Sequence, residues 1–137
     1  MNKKTIAVKN FFNNPELGAF ILRVGLAAVM LWFGFSQALA PETWAGFVPG
    51  WATDFLPALA IVRINSVFEI IAGVMLLLGL SVRPVAFLLF LHLVVIAGSF
   101  GLSAVGVRDF GLSAALLALT FLGPDRYALF CPRTVQL

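Results

Sequence analysis

The sequence predicts an all-α integral membrane protein: an antiparallel bundle of four transmembrane helices, with a short interfacial helical segment in the first loop. Of the 137 residues, 61% are hydrophobic and only 11% are charged, whereas a soluble domain carries about 25% charged residues. The hydrophobic residues lie in long continuous runs that can cross a bilayer as helices but lack the alternation of barrel strands. We therefore predict a single domain over residues 1–137, with spans at about 17–40, 58–80, 84–101 and 108–122.

The first predicted span carries polar and small residues on one helical face. Arg23 and Gln37 lie near opposite ends of this face, and steps of three or four residues connect them through Ala27, Met30 and Gly34. Leucine and phenylalanine fill most of the rest of the span. We expect the polar face to look into the bundle, because lipid would contact the apolar remainder.

The connection between the first two spans, residues 41–57, contains the acids Glu42 and Asp54 but no lysine or arginine. Its aromatic residues, including Trp44 and Trp51, recur about every four positions. This pattern predicts one or two short helices that lie flat at the membrane interface, with the indole rings at headgroup depth. The alternative interpretation is a lid, or a surface that contacts a lipid or a quinone.

Glu69 is the anomalous residue of the second span, because it lies near the middle of an apolar helix. An ionised side chain at the bilayer centre costs roughly 2.5 to 3.5 kcal/mol, so we expect Glu69 to be neutral, paired or facing a wet cavity. Asn65 and Gly73 share its face at intervals of one turn. A rise of ~1.5 Å per residue places His92 of the third span at a similar depth, with Arg23 within reach.

The depth estimate predicts a second polar pair near the outer end of the bundle. In this pair Asp109, at the start of the fourth span, meets Arg63, with Arg108 as the other candidate partner. The inner group comprises Arg23, Gln37, Asn65, Glu69 and His92.

These polar groups have two interpretations. The first is structural, because a helix bundle in lipid needs interhelical polar contacts. The second is that the inner group lines a quinone-facing site, where histidine and glutamate exchange protons. One histidine and one nearby carboxylate are too few ligands for a zinc site, so we expect no metal. We assign no catalytic residue.

Most positive charges that flank the predicted spans lie on one side of the membrane, whereas Arg108 lies on the other side, with Arg63 near it. Lys3, Lys4 and Lys9 precede the first span, and Arg83 follows the second. Arginines also follow the fourth span, whereas residues 41–57 contain no basic residue. The positive-inside rule therefore places both termini in the cytoplasm. We expect the membrane to be the cytoplasmic (inner) membrane of a bacterium or archaeon. Since the basic residues mark span ends, the net charge of +3 does not indicate a nucleic-acid partner.

A lone cysteine, Cys131, makes no internal disulfide and no Cys-based metal cage.

Three stretches of the chain resemble the DoxX family of small four-helix membrane proteins. They are residues 22–49, LRVGLAAVMLWFGFSQALAPETWAGFVP; residues 65–86, NSVFEIIAGVMLLLGLSVRPVA; and residues 109–112, DFGL. The family pattern has an arginine early in the first helix, an acidic residue in the second, and a glycine-rich end followed by arginine. The matching residues are Arg23, Glu69, Gly73, Gly79 and Arg83. Gln37 departs from the pattern, since many relatives have lysine there.

The resemblance implies a four-helix bundle within a functionally mixed family, some members of which serve quinone-linked oxidoreductases. We expect a small integral-membrane subunit or accessory protein of a quinone-linked redox complex, in contact with lipid and with other subunits or copies of itself. A quinone is the ligand we expect, and no covalently bound cofactor is implied. The chain contains no CxxC, haem or flavin motif and no nucleophile triad, so we do not expect an enzyme on its own. The alternatives are a quinone-binding oxidoreductase component and a small oligomeric transporter or proton channel.

Overall fold

A computed structural model describes residues 13–130 of the protein. In this part of the chain every regular element is a helix. The helices are α1 (Pro15–Leu39), α2 (Pro41–Ala45), α3 (Gly50–Thr53), α4 (Ala58–Leu78), α5 (Val82–Phe100) and α6 (Ala104–Leu122). The four long helices have the length and hydropathy of membrane spans. The predicted fold is therefore confirmed: the protein is a multi-pass membrane protein, and α2 and α3 are the short helices predicted for the first loop.

Three of the four spans begin earlier than predicted, the first of them at Pro15 instead of residue 17. The third was expected from residue 84, but α5 begins at Val82, so that Pro84 lies within its first turn, where proline is tolerated. The fourth was expected from residue 108, but α6 begins at Ala104 because Ser103 caps it: its side-chain oxygen accepts the N–H of Gly106 at 3.1 Å.

Helices α1 and α4 run antiparallel and approach closely at two glycines. A Cβ atom added to Gly34 would lie 3.0 Å from the backbone nitrogen of Ile70, and one added to Gly73 would lie 3.2 Å from that of Leu31. Small residues at such crossings let membrane helices pack backbone to backbone. This contact fixes the register of α1 against α4, and it sets Gln37 beside Glu69 at the end of the bundle near residues 41–57. We call this end the loop end.

The opposite end, here the termini end, holds the start of α1, the end of α4 and the end of α6. Between the two ends the bundle is filled by apolar side chains. Five that are wholly inaccessible to solvent are Met30, Leu76, Leu89, Leu116 and Leu119. Ala27 and Ala86 are equally buried and allow close helix contacts. This packed layer separates the polar residues of the two ends within one copy of the chain.

The buried face of α1 is the one predicted from its spacing. Arg23, Ala27, Met30, Gly34 and Gln37 are all buried. Arg23 therefore points inward at the termini end, and Gln37 points inward at the loop end.

Arg23 does not join Glu69, so that part of the predicted inner group is wrong. Its Nε lies 2.6 Å from Oδ2 of Asp125, and its Nη1 donates to the carbonyl oxygens of Leu76 and Leu77 at 2.6 and 2.8 Å. The physical reason is register: Arg23 is level with Leu76, which lies about 10 Å along α4 from Glu69 at the helical rise. The last carbonyls of a helix lack an N–H partner from a following turn. The Leu76 carbonyl accepts the N–H of Gly79 at 3.0 Å, and Arg23 adds a donor to it and to the Leu77 carbonyl.

Asp125 reaches Arg23 because the chain turns sharply after α6. Gly123 has a positive φ of 77°, a conformation that favours glycine, and the following segment crosses the termini end. There the backbone N–H of Leu129 donates to the carbonyl of Leu78 at 3.0 Å. Burial opposes ionisation of Asp125, but the hydrogen bonds from Arg23 and the backbone N–H of Tyr127 outweigh it, so its pKa is lowered.

Several residues that entered the prediction of orientation lie outside the described part of the chain. They are Lys3, Lys4, Lys9 and Arg133, together with Cys131.

Candidate functional site

A cavity of about 580 Å³ occupies the loop end of the bundle. Helices α1, α4, α5 and α6 form its walls, and residues of the 41–57 connection border it. Most of its lining is apolar or aromatic. The polar side chains on its wall are Ser36, Gln37, Thr43, Asn65, Glu69, His92, Ser99, Arg108 and Asp109. This combination of a mostly apolar wall and a few polar groups is typical of a small-molecule site.

Glu69 is the centre of a hydrogen-bonded network on this wall. Gln37 Nε2 donates to Glu69 Oε2 at 2.8 Å, and Asn65 Nδ2 donates to Gln37 Oε1 at 2.8 Å. His92 Nε2 lies 3.4 Å from Glu69 Oε1. Four residues of the predicted inner group therefore do meet, from three helices.

The network is arranged so that Glu69 is shielded and His92 is accessible. The side chain of Glu69 is 4% exposed, whereas that of His92 is 21% exposed. The ring of Phe68 packs against the His92 imidazole with centroids 5.1 Å apart and holds its plane. Both groups line the cavity, so a ligand there would lie beside an accessible imidazole and a largely covered carboxylate.

Asp109 also lines this cavity, and its predicted pairing with Arg63 is wrong. Oδ1 of Asp109 accepts from Nε of Arg108 at 2.7 Å. Arg63 is exposed on α4 and is not among the residues that line the cavity with Asp109. The pair with Arg108, considered from the sequence as the second candidate, is the one that forms. It belongs to the same cavity as Glu69 and is not a separate site.

Aromatic rings connect the walls of the cavity in a continuous series. The guanidinium carbon of Arg108 lies 4.9 Å from the centroid of Phe33. Phe33 contacts Trp44 at 5.6 Å between centroids, Trp44 contacts Phe47 at 5.8 Å, and Phe47 contacts Phe100 at 6.1 Å. These rings offer flat apolar surfaces to a ligand that enters the cavity.

The two tryptophans of the connection differ in their surroundings. Trp44 is half-buried, and its Nε1 donates to Ser36 Oγ of α1 at 3.2 Å. Trp51 borders the cavity but is 56% exposed. Trp44 is thus tied to the bundle, and Trp51 lies at the outer rim.

Phe33 was not predicted from the sequence as a cavity residue, and Arg108 was considered only as the second candidate partner of Asp109. A signal for Phe33 was present, because it precedes Gln37 by four residues and so lies on the same side of α1. The pairing of Asp125 with Arg23 could not be predicted from helical spacing, because the two residues are 102 positions apart in the sequence.

The family model described as DoxX matches residues 18–102 of the chain, which is more than half of its length. The chain belongs to the DoxX family. Neither curated proteins nor solved structures gave a match.

The matched region of this DoxX protein includes the whole Glu69 network, from Gln37 on α1 to His92 on α5. Arg108, Asp109 and Asp125 follow the matched region. In residues 13–130 no three His, Cys, Asp or Glu side chains are grouped so that they could hold a metal ion. The chemistry that the arrangement offers is hydrogen bonding and proton exchange at one wall of an aromatic cavity.

Proposed function

We propose that this DoxX protein is a small accessory subunit of a quinone-linked membrane complex, and that its cavity binds the head group of a quinone. The observation that carries the proposal is the contact of Glu69 with His92 on the wall of a cavity that is lined mostly by aromatic and aliphatic side chains. In this role the chain binds and orients the quinone, and partner subunits carry out the electron transfer.

The shape and chemistry of the cavity support a quinone head group. A volume of about 580 Å³ lies within the roughly 300 to 1,000 Å³ range of small-molecule sites. The rings of Phe33, Trp44 and Phe47 offer stacking surfaces to a planar ring. A quinone oxygen accepts a hydrogen bond from an imidazole N–H, and a quinol hydroxyl donates one to a carboxylate. His92 and Glu69 can therefore bind both forms.

The position of the cavity supports a ligand that arrives from the membrane. The cavity lies at one end of four membrane-spanning helices, so an isoprenoid tail could remain in lipid while the ring enters. The packed layer around Met30 and Leu89 closes it from the termini end. That closure favours a binding site over a proton channel in one copy of the chain.

The proposed orientation places residues 41–57 outside the cytoplasm and both termini inside, in a bacterial or archaeal cytoplasmic membrane. It is supported by Arg83 and Arg126 at the termini end and by the absence of basic residues from the connection. The described chain has little surface beyond the helices, so partner subunits are expected to contact helix faces or the connection.

A binding experiment tests the proposal directly. The purified protein in lipid nanodiscs is titrated calorimetrically with a short-chain 1,4-benzoquinone, with empty nanodiscs as the reference for partition into lipid. We expect saturable binding that weakens by about tenfold or more in Glu69→Gln, because a hydrogen bond to a charged group contributes about 1.5 to 3 kcal/mol. Asp54→Asn is the matched control, since Asp54 is an exposed acid that does not line the cavity. No saturable binding, or equal loss in both variants, would refute the proposal.

The accessory role has its own test. The tagged protein is extracted in mild detergent, and co-eluting chains are identified by mass spectrometry. We expect stoichiometric membrane or membrane-associated redox subunits. A homogeneous particle that contains this chain alone would contradict the role.

A further inference from the structure

We infer that Arg108 is a specificity-determining residue of the cavity: it binds the second oxygen of a 1,4-quinone or quinol while the Glu69–His92 wall binds the first. This inference rests on the proposed function and adds to it the number and placement of the oxygens that the site recognises.

The side chain of Arg108 is fixed at one edge and open at the other. Its Nε is bound to Asp109 Oδ1 at 2.7 Å, and its plane lies over Phe33. The two terminal nitrogens have no hydrogen-bond partner among residues 13–130, and 47% of the side chain is exposed. A guanidinium held in this way presents two rigid donors to the cavity that it lines.

The carboxylate of Asp109 favours binding of an uncharged ligand oxygen, rather than an anion, by Arg108. Asp109 is only 4% exposed and lines the same cavity, and its carboxylate offsets the charge of the guanidinium. Its Oδ2 has no hydrogen-bond partner among the described residues. A carbonyl oxygen can accept from Arg108, and a quinol hydroxyl can also donate to Asp109. A ligand with a full negative charge would instead meet the nearby Asp109 and Glu69 carboxyl groups.

Arg108 and the Glu69–His92 pair line the same cavity, and α1 connects them. Arg108 is stacked on Phe33, and Gln37, one turn later on α1, donates to Glu69. The cavity of about 580 Å³ is large enough to hold a six-membered ring. The inference places that ring between the two groups, against the aromatic walls.

Two ligands with the same short alkyl tail separate the contributions of the two oxygens. One is an alkylhydroquinone with para hydroxyl groups, and the other is an alkylphenol that lacks one of them. Their dissociation constants are measured by calorimetry in nanodiscs for the wild type and for Arg108→Gln. Arg63→Gln is the matched control, because Arg63 is an exposed arginine outside the cavity.

We expect Arg108→Gln to weaken hydroquinone binding by about tenfold or more, the loss of one hydrogen bond to a charged group, and to leave phenol binding unchanged. Arg108→Lys keeps the charge beside Asp109 but not the planar fork, so it should also reduce the preference for hydroquinone. It provides the comparison if Arg108→Gln does not fold.

The outcomes distinguish the inference from the proposed function. If the wild type binds the hydroquinone and both Arg108 variants bind it equally well, the inference is wrong and the quinone site stands. An equal loss for both ligands also overturns the inference, because Arg108 would then only support the cavity wall. If the wild type binds neither ligand, the proposed function fails, and the inference fails with it.

Discussion

Arg23 and Asp125 form a buried ion pair at the termini end of the bundle, with Nε 2.6 Å from Oδ2, and side chains 1% and 0% exposed. The same arginine donates to two carbonyl oxygens at the end of α4. One side chain thus joins the first helix, the second span and the segment that follows the last. It closes the end of the bundle opposite the cavity, and so its role is separable from ligand binding.

Removal of Asp125 is expected to destabilise the protein strongly. Asp125→Ala leaves the Arg23 guanidinium buried without its carboxylate, and breaking a buried pair costs about 3 to 5 kcal/mol. The free energy of unfolding, measured by denaturant titration in mixed micelles, should fall by about this amount, while the folded fraction still binds the quinone. The exposed Arg63→Gln should change stability by less than about 0.5 kcal/mol. An Asp125→Ala protein as stable as the wild type would show that the pair contributes nothing.

The same pair predicts how stability depends on pH. The pKa of Asp125 is lower in the folded protein than its ordinary value of 3.8. A depressed carboxyl pKa stabilises the folded state above the ordinary value, and this contribution is lost as the pH falls below it. Unfolding of the wild type should therefore become easier below about pH 4, and Asp125→Asn should show a shallower dependence in that range. Parallel curves for the two proteins would contradict the assignment.

The close approach of α1 and α4 predicts opposite effects for two glycine substitutions on the same helix. Gly34→Ala places a Cβ 3.0 Å from the backbone nitrogen of Ile70, and such overpacking costs typically 1 to 3 kcal/mol, so about 2 kcal/mol is expected. A Cβ at Gly25 meets nothing within 4 Å, so Gly25→Ala should be neutral or slightly stabilising through helix propensity. Denaturant titration of both variants measures the difference, and equal stabilities would mean that the helices are not in contact at Gly34.

Gln37 should be energetically coupled to Glu69 through the 2.8 Å hydrogen bond between them. A double-mutant cycle with Gln37→Leu and Glu69→Gln measures this coupling. We expect about 0.5 to 3 kcal/mol in the free energy of unfolding, as for groups in one hydrogen-bonded network. A parallel cycle of Gln37→Leu with Asp54→Asn should give no coupling, because Asp54 is exposed on the connection. Additivity in the first cycle would show that the bond does not form in the membrane.

The sequence was sufficient to predict what depends on spacing within one helix. The buried face from Arg23 to Gln37 follows from steps of three and four residues, and the meeting of Glu69 with His92 follows from their similar depth in adjacent spans. The start of α6 was misplaced because the cap at Ser103 was not recognised in a stretch of small residues.

The errors at Arg23 and Arg63 arose from relationships between helices. The estimate for Arg23 assumed that the ends of α1 and α4 are level, whereas the glycine contacts set a different register. Its partner Asp125 depends on a turn at Gly123 that brings a distant segment back. For Asp109, depth alone could not distinguish Arg63 from Arg108; the rotation of each helix about its axis decides between them.

Photo-crosslinking in native membranes tests most directly whether the cavity is a quinone site. A photoreactive azido-quinone is added to membranes that contain the protein, and labelled peptides are mapped by mass spectrometry. We expect the label on cavity residues such as Phe33, Trp44 and His92, competition by unlabelled quinone, and loss of the label in Glu69→Gln. Label confined to lipid-facing residues such as Phe35 or Phe121, or unaffected by competitor, would contradict a quinone site in this cavity.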